Sequence, residues 1–180
     1  VATISGKTVT IVGAGTSTIK ASQAGNDNYN IATDVMQSLT VAKADAPIYL
    51  INDLSLTYGD TTAKSVTTNV STTLTGLGTM SYSIDNTGIT LASTTSIVST
   101  GVLTLGTAGS FKVKATLAAG DNYEGKTVTK TLTVAKASQT ITFATLANKT
   151  YGESAFTLGA TSSSSLAIEY ASSNTAVATI

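Results

Sequence analysis

The feature that most constrains this chain is that it repeats itself. Val41-Ala42-Lys43-Ala44 returns as Val134-Ala135-Lys136-Ala137, a shift of 93 residues from position 41 to position 134. Thr57-Tyr58-Gly59-Asp60 returns at the same shift as Thr150-Tyr151-Gly152-Glu153. Self-similarity at a fixed period is the signature of an array of like structural units. Two such units therefore begin near Lys43 and Lys136, and the second runs off the chain at Ile180.

Residues 1–42 supply the matching half. Gly13-Ala14-Gly15 and Asp27-Asn28-Tyr29 correspond to Thr107-Ala108-Gly109 and Asp121-Asn122-Tyr123 in the back of the unit spanning 43–135. The expected organisation is the C-terminal half of a domain over 1–42, a complete domain over 43–135, and the N-terminal half of the next over 136–180. Val1-Ala2-Thr3-Ile4 is also identical to Val177-Ala178-Thr179-Ile180, a shift of 176 residues from position 1 to position 177. This reads as a super-repeat holding one unit of 93 residues and one of 83, with 136–180 continuing as residues 1–42 of a following repeat or chain. The plainer alternative is that related half-domains share a low-complexity motif by accident. A start in mid-pattern, without an initiator methionine, leads us to expect a piece of a longer array.

Within 43–135, short runs alternate apolar and polar residues. They are Ile48 to Leu50, Lys64 to Val70, Met80 to Ile84, Val102 to Leu105, Phe111 to Ala115 and Val128 to Val134. Alternation with a period of two, broken by turn residues, predicts strands. The run Val128 to Val134 places Val128, Lys130, Leu132 and Val134 on one face and threonines on the other. About seven short strands in some 90 residues, with no helical periodicity, predict an all-β fold of tandem immunoglobulin-like sandwiches. Thr87 to Thr100 is longer and less regular, so strand register there is open. Pro47, the only proline, follows the joint Lys43-Ala44 and suits an extended linker; Lys136-Ala137 is the same joint one repeat later.

Composition narrows what such a chain can do. Hydrophobic residues make up 42% and are mostly aliphatic, enough for an ordinary core, while charged residues make up only 11%. Ten lysines balance ten acids, and there is no arginine. No basic field or bidentate clamp exists for nucleic acid or anionic lipid. Histidine, cysteine and tryptophan are absent, which removes disulfides, thiolate sites and the commonest general base. No apolar run approaches the roughly 20 residues of a membrane helix, so no membrane insertion is expected.

The motifs also resemble a known group. Ser172-Ser173-Asn174-Thr175-Ala176-Val177-Ala178-Thr179-Ile180, continued by Ser5-Gly6-Lys7-Thr8-Val9 and Gly13-Ala14-Gly15-Thr16-Ser17-Thr18-Ile19, resembles the group 2 signature of bacterial immunoglobulin-like domains. Gly25-Asn26-Asp27-Asn28-Tyr29, the Val-Ala-Lys-Ala joints and the Thr-Tyr-Gly-Asp and Thr-Tyr-Gly-Glu motifs resemble the related MBG repeats. Together these cover nearly the whole chain. The resemblance implies a β-sandwich repeated along secreted or surface-anchored bacterial proteins as stalk, spacer or adhesive arm.

Candidate chemistry is sparse, and each candidate has a structural alternative. Asp27, Asn28 and Asn30, with Asp121 and Asn122, offer oxygen ligands for calcium at domain ends. As turns, the same residues would satisfy local backbone groups while Tyr29 and Tyr123 pack as tyrosine corners. Tyr58 and Tyr151 are either sugar-stacking platforms or turn anchors, with Gly59 and Gly152 supplying positive φ. The glycine-rich loops at Gly13 and Gly106 precede strands, so no helix N-terminus waits there for phosphate. Serines lack an activating base, and no carboxylate pair is spaced for acid–base work, so the chain is not expected to be an enzyme and no cofactor is implied. Lys130, on an otherwise apolar face, is either the amine of a self-formed cross-link to asparagine or a snorkelling lysine at a strand edge.

The expectation is thus a structural or adhesive repeat of an extracellular bacterial fibre or giant adhesin, partnered by neighbouring copies of itself. One alternative is a module binding glycan or another cell's surface through a groove lined by Tyr58, Tyr82 or Tyr151. The other is a head-to-tail polymer whose half-domains complete one another.

Overall fold

The computed structural model describes residues 1–48, 52–70 and 73–180. It is all-β, with no helix among the described residues. Two compact units divide the chain, Val1–Lys136 and Ala137–Ile180.

In the first unit, β1 (Ala2–Ser5) and β2 (Thr8–Ile11) form one antiparallel hairpin, and β3 (Gly15–Ala21) and β4 (Val35–Val41) form a second. Seven strands follow among the described residues: β5 (Leu56–Thr57), β6 (Lys64–Ser65), β7 (Met80–Ile84), β8 (Ser96–Ile97), β9 (Val102–Thr104), β10 (Gly109–Leu117) and β11 (Lys126–Ala135). They form a four-stranded sheet in the order β5-β11-β10-β7 and a three-stranded sheet in the order β6-β9-β8. All pairings are antiparallel except β5 with β11. The second unit holds β12 (Ile141–Thr142) and β13 (Thr161–Ser162), an antiparallel pair.

One apolar cluster joins the two sheets of residues 43–135, an arrangement consistent with a β-sandwich. The four-stranded sheet contributes Leu56, Phe111, Val113, Leu132 and Val134; Leu103 and Val66 come from the other side. The alternation that made β10 and β11 legible is what fills this core. Phe111, Val113, Ala115 and Leu117 are buried, and the intervening Lys112, Lys114 and Thr116 are not. In β11 the threonines are exposed while Leu132 and Val134 are buried. A second cluster of Ala46, Ile48 and Leu117, with Met80, Tyr123 and Val128 packed on it, closes one end of the domain.

Strand boundaries agree best where side-chain alternation is longest. Met80 to Ile84 is β7 as expected, and the runs at Phe111 and Val128 extend a little further each way into β10 and β11. Two expectations need correction. Lys64 to Val70 contracts to the two residues of β6 because the Asn52 side chain takes over the next backbone groups. Its Nδ2 donates to the Ser65 carbonyl at 2.8 Å, and its Oδ1 accepts from the Thr67 N–H at 3.1 Å. Of Ile48 to Leu50, Tyr49 and Leu50 lie outside the described residues, and Ile48 is a buried residue outside any strand.

The irregular stretch from Thr87 holds β8 and, before it, a buried polar pair. Ser93 Oγ and Thr95 Oγ1 lie 2.8 Å apart, the Ser93 hydroxyl also bonds the Thr107 carbonyl, and Thr95 Oγ1 accepts from the Gly106 N–H at 3.0 Å. Every buried side-chain polar atom among the described residues is paired, as a low-dielectric interior requires. No alternation marks this segment because hydroxyls, not apolar side chains, hold it in place.

Phe111 is fully buried at the centre of the larger cluster. Phe111→Ala is expected to lower unfolding free energy by about 3–5 kcal/mol. Denaturant titration checks this through a lower midpoint at unchanged slope.

Candidate functional site

The hairpins β3–β4 and β10–β11 are built in the same register. Gly15 faces Val41 and Ile19 faces Gln37 in the first; Gly109 faces Val134 and Val113 faces Lys130 in the second. Both open on a glycine at positive φ, +126° at Gly15 and +144° at Gly109, backbone that a residue with a Cβ rarely adopts. Their inward faces fare differently. On β10–β11 Phe111, Val113, Leu132 and Val134 are buried, whereas Ser17, Ile19, Leu39 and Val41 are only half-buried. Between β1–β2 and β3–β4 lies an open groove of about 400 Å³ lined by Val9, Ile11, Ile19, Gln37, Ser38 and Leu39. Ile11 is 61% exposed there.

The second unit carries a groove of its own, about 390 Å³, lined by Gln139, Ile141, Ser162, Leu166, Ala167 and Ile168. Ile141 is 62% exposed. Its aromatic side chains stack locally, with Phe143 edge-on to Tyr170 at 5.8 Å and the Lys149 ammonium 5.3 Å over the Phe156 ring.

Where residues 1–42 meet residues 43–135, Asn122 makes the joint. Its Oδ1 accepts from the Ala14 N–H at 2.9 Å and its Nδ2 donates to the Thr75 carbonyl at 3.3 Å. Its own backbone bonds Gly76 and Ala44. Gly13 and Gly76 leave room for it: a Cβ at Gly76 would stand 2.5 Å from Asn122 Nδ2. Ala44 is pinned on both sides, donating to the Asn122 carbonyl at 2.9 Å and accepting from the Glu124 N–H at 2.8 Å. Lys43, Pro47, Lys136 and Ala137 are exposed. Asn122→Ala leaves the Ala14 N–H without its acceptor, and is expected to cost about 1–2 kcal/mol and to speed amide exchange at Ala14. Unchanged exchange there would show that the joint does not rest on this bond.

The five tyrosines singled out in the sequence separate into four situations. Tyr123 packs on Ile48 and Leu117 at the domain end. Tyr29, its counterpart, does not pack as a corner residue: it is 73% exposed, whereas Tyr123 is bridged by Ala44. Tyr58 and Tyr151 are exposed on turns whose glycines, Gly59 and Gly152, have φ of +82° and +93°. Those turns close through Asp60 N–H to Thr57 and Glu153 N–H to Thr150, both at 3.1 Å. Tyr82, the other groove candidate, packs against the core cluster with its hydroxyl 3.3 Å from Thr68 Oγ1.

Asp60 sharpens the first of these turns. The Thr62 N–H, the Thr62 hydroxyl and the Lys64 ammonium, in falling order of effect, hold its carboxyl down at about 2 from an ordinary 3.8. The Thr87 hydroxyl, then the Thr87 N–H, lowers Asp85 in the same way. A depressed folded-state pKa stabilises the fold above 3.8, and that stabilisation is lost as pH falls through about 2. Asp60→Asn keeps an acceptor for Thr62 but no charge. Thermal melts of this variant are expected to fall less steeply with pH across that window than those of the parent chain; parallel curves would assign the acid sensitivity elsewhere.

The calcium candidates are not gathered into a cluster. Among the described residues no group of three or more His, Cys, Asp or Glu is placed to hold a metal ion. Asn122 is committed to the joint, and Asp27 and Asn28 sit on a turn organised by Asn26, whose Oδ1 accepts from the N–H groups of Asn28 at 2.9 Å and Tyr29 at 3.0 Å. Lys130 reaches Asp53 Oδ1 at 2.6 Å and the Asn52 carbonyl at 3.1 Å. That aspartate is 93% exposed, whereas an amide-forming cross-link needs a buried pair whose charges are suppressed. The roles of Asn26, Asn52 and Asn122 were missed at the sequence level. A lone asparagine signals a turn, but not which distant backbone it will satisfy.

Comparison with protein-family models, with curated proteins and with solved structures finds no match.

Proposed function

We propose that this chain is a stretch of tandem immunoglobulin-like domains serving as shaft or spacer of an extracellular bacterial fibre or giant surface adhesin, without catalysis of its own. The observation that carries the reading is the recurrence of one hairpin in one register, β3–β4 and β10–β11, each running into a Val-Ala-Lys-Ala joint. Recurring units linked by short bonded joints stack into extended rods, because each unit touches only its neighbours.

The joint supports the same reading. Asn122 and Ala44 tie consecutive segments by side-chain and backbone hydrogen bonds, which restrains bending more than a free linker does. The surface is suited to a spacer: formally neutral, lysine-balanced and rich in threonine, it offers no single-signed field to draw charged ligands. Binding to glycan or cell-surface protein would then belong to regions outside this stretch.

An array of three concatenated copies of this sequence tests the proposal under negative stain. Beaded rods whose length grows in proportion to copy number are expected. Compact globules would overturn it.

A further inference from the structure

We propose that residues 43–135 are a force-bearing module: the segment that enters them is fastened in parallel along β11, the strand that leaves, so that tension on the chain loads the fastenings in shear. This goes beyond the shaft reading and does not rest on it, since it concerns resistance to pull within one unit and not how units stack.

Entry and exit lie at opposite ends of one strand. The chain continues on both sides of residues 43–135, so tension along it enters at Lys43 and leaves at Lys136. Ala44, next to the entry, forms a parallel bridge with Tyr123, just before β11 begins at Lys126. The exit, Lys136, directly follows the last residue of β11, Ala135. β11 has 10 residues, which span about 30 Å at the rise of a strand.

Three fastenings tie the entering segment along that length. At the first, Ala44 donates to the Asn122 carbonyl at 2.9 Å and accepts from the Glu124 N–H at 2.8 Å. At the second, the Lys130 ammonium donates to the Asn52 carbonyl at 3.1 Å and reaches Asp53 Oδ1 at 2.6 Å. At the third, Leu56 pairs with Val134 and Thr57 with Ala135, in parallel, and the Tyr58 N–H donates to the Ala135 carbonyl at 2.9 Å. Positions on the two partners rise together, from Ala44 against Tyr123, through Asn52 against Lys130, to Leu56 against Val134. The two therefore run the same way.

That common direction decides how the joint breaks. Tension draws Ala44 one way along the axis of β11 and Lys136 the other. Ladder bonds lie across the strands they join, so sliding one partner past the other strains all three fastenings at once. Pulling an antiparallel hairpin open from its end breaks one pair at a time. The other strand pairings of residues 43–135 are antiparallel among the described residues. A parallel pair is slightly the less stable per residue, so two residues of it add little to equilibrium stability. What they add is shear between entry and exit.

The core adds to that resistance. Ala46, Ile48 and Leu56 of the entering segment are buried in the two apolar clusters, so sliding also drags apolar side chains toward water. Forced unfolding follows the barrier to unfolding and not the equilibrium free energy. Resistance to pull is thus a property of the fastenings and their direction, separate from overall stability.

Single-molecule pulling on the 180-residue chain tests this. The sequence has no cysteine, so introduced thiols are the only points of attachment. Lys43→Cys with Lys136→Cys, both at exposed positions, applies force along β11. Ala108→Cys with Lys136→Cys instead pulls apart the open end of the β10–β11 hairpin, whose first pair is Gly109 and Val134. At one loading rate, rupture through the first pair of handles is expected at severalfold the force needed through the second. Equal or lower force through the first pair would overturn the proposal. Lys130→Met, which removes the middle fastening, is expected to lower the first force and leave the second unchanged. No fall in the first, or an equal fall in both, would overturn the place of Lys130 in the module.

Discussion

Nine residue pairs join β10 to β11, and this ladder turns Phe111, Val113, Leu117, Leu132 and Val134 toward one side while threonines, Lys112 and Lys114 take the other. A ribbon so patterned is not stable in water by itself: two strands bury too little, and the apolar face must find cover. Every other element of residues 43–135 answers that demand. β7 and β5 extend the sheet, β6, β9 and β8 roof it, and the segment from Ala44 to Ile48 plugs its end over Leu117 and Tyr123. The same ribbon occurs again as β3–β4, roofed on one side by β1–β2 and open on the rest. The molecule is organised by how far each of these two ribbons is covered.

What the sequence made legible follows from that ribbon. Alternation across Phe111 to Ala115 and Val128 to Val134 made β10 and β11 readable to within two residues of their ends. β7 was readable because its five residues sit between glycine- and aspartate-rich turns. Shorter elements were not. β5, β6 and β8 have two residues each, too few for a period to register; β5 exists because the long β11 offers its edge, while β6 and β8 flank the short β9. β6 stops early for a reason that no window of local sequence contains: Asn52, 13 residues before Ser65, satisfies the backbone that would have continued the strand.

The candidate positions show the same division between local and distant causes. The glycine turns after Tyr58 and Tyr151 were legible because positive φ is a local demand that glycine meets locally. The joint was legible as a repeated tetrapeptide, yet its strength comes from Asn122, which bonds Ala14, 108 residues away. Tyr29 was the instructive failure. Its motif is that of Tyr123, and the motif alone implied packing, but packing belongs to the pair of a tyrosine and the segment laid across it. With one member of the pair absent, the same three residues give an exposed ring.

The outward faces of the two ribbons explain why uncovered apolar surface can be tolerated at all. Ser110 faces Thr133 at 3.0 Å, Thr116 faces Thr127 at 3.3 Å and, on the other ribbon, Thr16 faces Thr40 at 3.5 Å, in each case hydroxyl to hydroxyl across the strands. Such cross-strand pairs stabilise a sheet from the solvent side without making that side adhesive. Charge could have done this only by giving neighbouring units a common sign to repel each other, and the chain carries almost none to spare. A β-rich chain with hydroxyl ladders outward and aliphatic residues inward thus confines its stickiness to one face of each ribbon. Specificity between strands then has to come from register and side-chain packing, because electrostatic complementarity has too few charges here to supply it.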